Sequence, residues 1–382
     1  GLGFEDRLRA VAGAPPPLKT DCFALPPGAR WTPVPEALTQ LRSRLTVVSG
    51  SEDMPIAQAT GRVAAQDVMA RRANPPLPNT AVDGYGFAGG RGDGVHRLPL
   101  MQDRAAAGDA LGVLTEGHAI RVLTGAALPE GVDTVVLQED VTLSETEITF
   151  RGPIKPGANT RRAGEDVTAG ARVLTRGVRI GPAEAALLAA TGIARVSVRR
   201  PLRVAVLSTG SELVDAGGEA ADGQIYDANR PMLLGMIRRF GHEPVDIGRV
   251  PDDAQALRRA LDQAASRADV ILTSGGASAG DEDHVSALLS REGAMALWRI
   301  AVKPGRPLAL GTWRDRAVFG LPGNPVAAMV CTLIFARPAM AVLAGEAWPV
   351  PQGFDVPAGF SKSKKAGRTE YLRARMRDGR VE

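Results

Sequence analysis

Leu207-Ser208-Thr209-Gly210-Ser211-Glu212, Thr273-Ser274-Gly275-Gly276-Ala277-Ser278-Ala279-Gly280 and Gly320-Leu321-Pro322-Gly323-Asn324-Pro325 share one pattern. In each, a short apolar run breaks into glycine and small polar residues. Around them, Val204 to Leu207, Val245 to Val250 and Val270 to Thr273 read as strands, with strand-like runs also near Trp298 to Val302 and Ala317 to Gly320. Helical stretches alternate with these strands: Pro231 to Phe240 stopped by Gly241, Ala254 to Ala265, Val285 to Ser290 and Val326 to Leu343. Such alternation predicts a doubly wound α/β domain with a largely parallel sheet. The carboxyl ends of parallel strands share one edge, where ligands bind, so all three turns are expected to line one pocket.

The first half of the chain reads differently. Val34, Leu38, Leu41 and Leu45 recur at helix spacing, beginning near Pro35. After Asn74 to Pro78 come short apolar runs such as Ala119 to Leu123 and Thr134 to Leu137, broken by Gly, Asp and Pro, as strands are. Pro182 to Ala190, opened by Pro and closed by Gly192, is a helix that returns the chain to its first segment. The predicted organisation is a mixed connecting domain from 30–71 and 161–200, a mostly β domain over 72–160, the α/β domain over 201–347, and a short Lys- and Arg-rich β piece over 348–382. A chain of 382 residues exceeds what a single core ordinarily organises.

Composition narrows the function classes. With 44% hydrophobic and 23% charged residues the chain is globular rather than disordered. Cys22 and Cys331 are its only cysteines, which excludes a disulfide framework and a multi-cysteine zinc site. His96, His118, His242 and His284 lack metal-ligand spacing. No run of eighteen apolar residues occurs, and Gly1 to Ala14 mixes Glu5, Asp6, Arg7 and Arg9 with apolar positions. A soluble, cytoplasmic protein without a membrane partner is expected. The net charge of +4 and 4% aromatics offer little for stacking bases, so no nucleic-acid partner is expected. An anionic small substrate accounts for the basic balance equally well.

Glycine-rich backbone entering a helix presents free N–H groups and a positive dipole end, which suits phosphate. Ser208, Thr209, Gly210, Ser274, Gly275, Gly276, Ser278, Gly280, Pro322, Gly323, Asn324 and Pro325 are therefore the candidate ligand-binding residues. Glu212 follows the first turn, and Asp281, Glu282 and Asp283 follow the second. Carboxylates beside a phosphate cradle repel a polyanion unless a hard cation bridges them, so Mg2+ is inferred. The structural alternatives are steric need for glycine and first-turn acids stabilised by the helix dipole. Asp252 and Gln255 have capping-box spacing, and from spacing alone Asp252 is a helix cap. Lys303-Pro304-Gly305-Arg306-Pro307 puts two cations in a stiff loop, either an anion clamp or a solvated turn.

Further motifs carry a resemblance. Asn79-Thr80-Ala81-Val82-Asp83-Gly84-Tyr85, Arg121-Val122-Leu123-Thr124-Gly125-Ala126, Pro129-Glu130-Gly131-Val132-Asp133-Thr134-Val135-Val136 and Arg161-Arg162-Ala163-Gly164-Glu165-Asp166 resemble successive signatures of the molybdopterin molybdenumtransferases, a family that includes the E domain of gephyrin. Gly223-Gln224-Ile225-Tyr226-Asp227-Ala228-Asn229-Arg230 and the α/β turns match in order, so the resemblance spans about residues 32–345. It implies insertion of molybdate into adenylylated molybdopterin with release of AMP. It also implies a homodimer whose cleft is shared between the α/β domain of one subunit and the β domain of the other. Carried over by position, Asp83, Thr124, Asp166, Asp252 and Lys303 are the implied catalytic set. Glu212 and Asp283 would hold Mg2+, Pro322 and Pro325 line the cleft, and molybdate approaches near Lys303 and Arg306. Other cofactor-synthesis proteins are implied as further partners. Two departures stand out. Ala277 and Ala279 replace the family's usual valines, and the terminal β-barrel, which normally runs well past Gly367-Arg368-Thr369-Glu370-Tyr371, is truncated at Glu382.

Two other readings compete. A non-catalytic pterin-binding or scaffold homologue would keep the fold but has no need of the acidic set. A stand-alone adenylyltransferase or nucleotide amidohydrolase would share the α/β domain without Asp83 and Thr124 in front of it.

Overall fold

The computed structural model describes residues 31–275, 284–297, 300–305, 308–364 and 367–382. Of the candidates above, Gly276, Ser278, Gly280, Asp283 and Arg306 lie outside the described residues, as do Cys22 and the Trp298 end of its predicted strand.

A six-stranded sheet runs in the order Glu243–Val250, Arg203–Thr209, Val270–Ser274, Arg316–Leu321, Ala309–Trp313, Ala294–Leu297. Its first four strands are parallel. The last two pairings are antiparallel, so Ala309–Trp313 runs against the other strands, which qualifies the expectation of a largely parallel sheet. The reversal is a two-residue hairpin in which Arg314 and Asp315 both adopt positive φ, 47° and 62°. Neither is the glycine or asparagine that usually marks such a turn, so the sequence concealed it. The run expected near Trp298 to Val302 is instead parted into strands Ala294–Leu297 and Val302–Lys303.

Successive strand residues face opposite sides of the sheet. Val204 and Val206 enter one apolar core, and Ala205 and Leu207 the other. Burial on both faces explains why the run is continuously apolar rather than alternating. Helices Val34–Ser43, Asn229–Arg239 and the long helix over Pro325–Leu343 pack on the first face; Ala254–Arg267 and His284–Arg291 pack on the second. The helix over Pro325–Leu343 is long and apolar enough to cross a membrane, yet Ala328, Cys331, Phe335, Ala336, Ala339 and Met340 are buried in the first core.

Asp253, not Asp252, caps the Ala254–Arg267 helix, its carboxylate accepting from the Ala256 N–H at 2.7 Å. Because Ala254 is the first helical residue, Asp252 falls one position too early to cap. Asp253→Ala should cost about 1 kcal/mol of stability, read as a lowered urea midpoint with an unchanged slope.

The chain before residue 160 builds a second six-stranded sheet, ordered Thr134–Leu137, Gly84–Phe87, Ala119–Val122, Arg91–Ala105, Glu147–Ile154, Val141–Leu143. Gly84 is required there because a Cβ would sit 2.0 Å from the Val136 carbonyl oxygen. This tight pairing carries Asp83, immediately before it, to the strand end. Ser51–Pro55 pairs antiparallel with Arg195–Arg199, so the chain leaves to form the β sheet and returns beside its exit. The Pro182–Ala190 helix buries Leu188 with Val196 and Val198 at that junction. Near the end of the chain, Thr369–Glu370 adds in parallel to Val302–Lys303, and Met376–Arg377 forms a hairpin with Arg380–Val381.

Candidate active site

The carboxyl ends of the parallel strands are in register, Ser208 beside Ser274 and Ser274 beside Leu321. Residues from all three turns consequently line one cleft of about 330 Å³: Thr209 and Glu212, Ser274 and Gly275, and Gly323, Asn324 and Pro325. Ser208, Gly210 and Pro322 are buried behind this lining. The turns need their glycines. Gly275 has φ of +86°, and a Cβ on it would lie 2.3 Å from the Thr209 carbonyl oxygen. The second turn thus packs backbone against backbone on the first, a contact no side chain permits.

The cleft wall holds polar atoms that no other described residue satisfies. The Thr209 Oγ1 and Asn229 Oδ1 atoms are buried without a hydrogen-bond partner among the described residues, as are the Ser208 and Thr273 hydroxyls nearby in the strands. Buried polar groups without partners are costly and mark places where a ligand or water completes the set. Asn229 is informative because its amide orientation is fixed by chemistry: Nδ2 donates to the Gly323 carbonyl at 2.7 Å and to Ser274 Oγ at 2.6 Å. A carbonyl only accepts, so the NH2 must face it and Oδ1 remains a free acceptor. Asn229 ties the second turn to the third. It sits in the Gly223–Arg230 stretch, yet sequence reasoning gave it no role, because nothing local shows that an asparagine reaches across two strands.

Asn324 spends its side chain on the helix that follows, accepting from the Ala327 N–H at 3.1 Å. Asp252 clasps the first turn, accepting from the Ser211 N–H at 2.9 Å while its own N–H donates to Ser211 Oγ at 3.3 Å. Glu212 is exposed at the rim, its carbonyl accepting from the Ile225 N–H at 2.9 Å while its carboxylate forms no ion pair or hydrogen bond among the described residues. No group of three metal-ligating side chains gathers among the described residues. The oxygen donors present, a free carboxylate beside unpartnered hydroxyl and amide oxygens, are the hard kind that Mg2+ takes together with water and phosphate.

Asp83, Thr124 and Asp166 do not line this cleft. Asp83 accepts from the Thr124 N–H at 2.6 Å and from its hydroxyl at 2.7 Å. The backbone N–H chiefly, then the hydroxyl, hold the Asp83 carboxyl below the usual carboxylate range. Asp166 pairs with Arg161, which also binds Glu165. Arg161 pairs in turn with Asn79 across the Thr160–Arg161 and Asn79–Thr80 strands.

Lys303 stands at the end of its short strand, 2.9 Å from Glu370 Oε1, and Lys362 binds the same oxygen at 2.8 Å. The two lysines, Lys362 first, draw the Glu370 carboxyl down to about 2. Backbone bonds from Thr369 N to Ala301 O and from Tyr371 N to Lys303 O, both 2.8 Å, stitch this segment beside Lys303. A depressed carboxyl stabilises docking above its ordinary value of 4.5, and that contribution is lost as pH falls toward 2. Pepsin cleavage around Tyr371 should therefore rise as pH is lowered through this interval in the wild type. Glu370→Gln should flatten the dependence.

Comparison with known proteins adds the family. Residues 32–192 match the model described as MoeA N-terminal region (domain I and II), and residues 205–342 match the probable molybdopterin binding domain. The molybdopterin molybdenumtransferase of Haemophilus influenzae is 37% identical over 342 residues, covering 88% of this chain and 84% of that protein. Among solved structures, a molybdopterin biosynthesis moeA protein from Pyrococcus horikoshii OT3 superposes with a TM-score of 0.78 at 29% identity, over 92% of this chain and 89% of that one. A second structure of a moea protein from Pyrococcus horikosii gives 0.68 at 32% identity, over 83% and 81%. With a relative of this identity matched along most of both lengths, the chain belongs to the molybdopterin molybdenumtransferase family.

Proposed function

We propose that this chain inserts molybdenum, delivered as molybdate, into adenylylated molybdopterin and releases AMP. The observation that carries the reading is the cleft at the strand ends, where three glycine turns meet around oxygens left unpartnered among the described residues. A ligand with phosphates and N–H donors completes that wall: phosphate against the turn backbone, a donor on Asn229 Oδ1. Glu212 at the rim, with Asp283, would hold Mg2+, which neutralises phosphate charge when bound. Lys303, held by Glu370, and Arg306 offer positive charge to molybdate. Asp252 keeps the first turn in shape through Ser211.

The same reading makes the protein a cytoplasmic homodimer built of four domains in each subunit. Asp83, Thr124 and Asp166, absent from the lining of their own chain's cleft, would serve the cleft of the partner subunit. Subunit mixing tests this. Asp83→Ala and Asp283→Ala proteins are each expected to be inactive; after exchange, about half the dimers should be mixed, each with one intact cleft, so activity should return to roughly a quarter of wild type. No recovery after verified exchange would reject the shared cleft and leave the reaction standing. The reaction itself is tested by supplying purified protein with adenylylated molybdopterin, molybdate and Mg2+ and scoring activation of a cofactor-free molybdoenzyme. Tight binding without activation would make the chain a pterin-holding scaffold instead.

A further inference from the structure

A second cleft lies at the opposite edge of the α/β sheet. The Glu243–Val250 strand starts there, and its parallel neighbours end at the cleft described above, so the two sites are separated by the length of the strands. The second cleft, of about 360 Å³, is lined by Arg179, Arg238, Arg239, His242 and Arg337, with Glu346 as the only acidic residue of the lining among the described residues. Its volume falls in the range of small-molecule sites.

The charges in it are unevenly paired. Arg179 holds Glu346 through both carboxylate oxygens, Nε to Oε1 at 3.2 Å and Nη2 to Oε2 at 2.6 Å. That consumes the one acid. Arg238, Arg239 and Arg337 form no ion pair among the described residues. The Arg337 guanidinium sits 5.5 Å from the centre of the Phe240 ring. Stacking of that kind orients the group by its face and leaves its N–H edge open to a ligand. Arg238 and Arg239 end the Asn229–Arg239 helix, where cations complement the dipole; Arg337 belongs to a different helix and has no such reason to be there.

His242 is the independent sign. It is 8% exposed, lines this cleft, and its Nδ1 is buried without a hydrogen-bond partner among the described residues. Burial chiefly, with Arg179 beside it, pushes the imidazole down to about 4, so the ring is neutral and can turn an N–H toward an incoming anion. Neither catalysis nor packing as described accounts for an unpaired imidazole among unpaired guanidiniums.

We propose that this cleft is a second, separate binding site for a small phosphorylated molecule carrying at least two anionic groups, gripped by Arg337 on one side, by Arg238 and Arg239 on the other, and by His242 beneath. The probe is inorganic pyrophosphate, titrated into the full-length chain by calorimetry. Saturable binding at this cleft is expected, distinct from any uptake at the glycine turns, weakened about tenfold by Arg337→Ala and similarly by Arg238→Ala. Arg151→Ala, an equal loss of charge on an exposed strand residue, and Asn229→Ala, a lesion of the other cleft, should leave it unchanged. Should an arginine variant fold poorly, the wild type suffices: among its four imidazoles, the His242 resonances should shift on titration. Absence of saturable binding, unmoved His242 resonances, or binding lost in Asn229→Ala but kept in the arginine variants would overturn the proposal. None of these outcomes bears on molybdenum insertion.

Discussion

Glu212→Gln is expected to reduce molybdenum insertion by about a hundred- to a thousandfold while leaving stability within about 0.5 kcal/mol of wild type. The side chain is exposed at the cleft rim and makes no ion pair among the described residues, so the fold loses nothing with its charge. The reaction does lose. An amide of the same shape is a weak ligand for Mg2+, and the phosphates in the cleft would go partly unneutralised. Raised Mg2+ should restore part of the rate, which separates a lost metal ligand from a distorted turn. Full activity in Glu212→Gln at limiting Mg2+ would remove this residue from the site.

Gly275→Ala is expected to lower insertion by about a hundredfold and stability by about 1–3 kcal/mol. Alanine tolerates φ of +86° poorly, and its Cβ would fall 2.3 Å from the Thr209 carbonyl oxygen. The second turn must then peel away from the first. Ser274 moves with it, and the Asn229 amide, anchored on Ser274 and Gly323, loses its fixed orientation. The two effects are read separately, by calorimetric unfolding and by the binding of AMP to the folded variant. A variant that unfolds earlier but binds AMP normally would show that glycine is needed there for packing alone.

The parts of the fold that were legible in the sequence are those dictated by burial and by helix punctuation. Val204 to Leu207 is apolar without alternation because both faces of its sheet are covered, and Pro182 to Ala190 is bracketed by its own boundary residues. What escaped was fixed by contacts between distant segments. The Arg314-Asp315 hairpin lacks the customary turn residues, and only the sheet it closes reveals it. Asp252 and Asp253 are adjacent and chemically identical; one caps a helix and the other holds Ser211 because the helix begins one residue later than capping-box spacing suggests. Asn229 and Glu370 look unremarkable in the sequence. Their importance comes from a reach of 45 residues to Ser274 in one case and from a strand pairing with Val302–Lys303 in the other. The acids Asp83 and Asp166 were readable only as part of the family's signatures, since both lie in bends outside the strands and far from the glycine turns in sequence.

Single-turnover measurement of both products bears most directly on the central claim that the cleft couples molybdenum insertion to cleavage of the adenylyl bond. Protein loaded with adenylylated molybdopterin is mixed with molybdate and Mg2+, quenched at intervals, and assayed for AMP and for molybdenum cofactor. One AMP should appear for each molybdenum inserted, on the same time course, with neither product formed when molybdate or Mg2+ is withheld. Cofactor formed without AMP, AMP released at an equal rate without molybdate, or substrate recovered intact from a folded, loaded protein would contradict it.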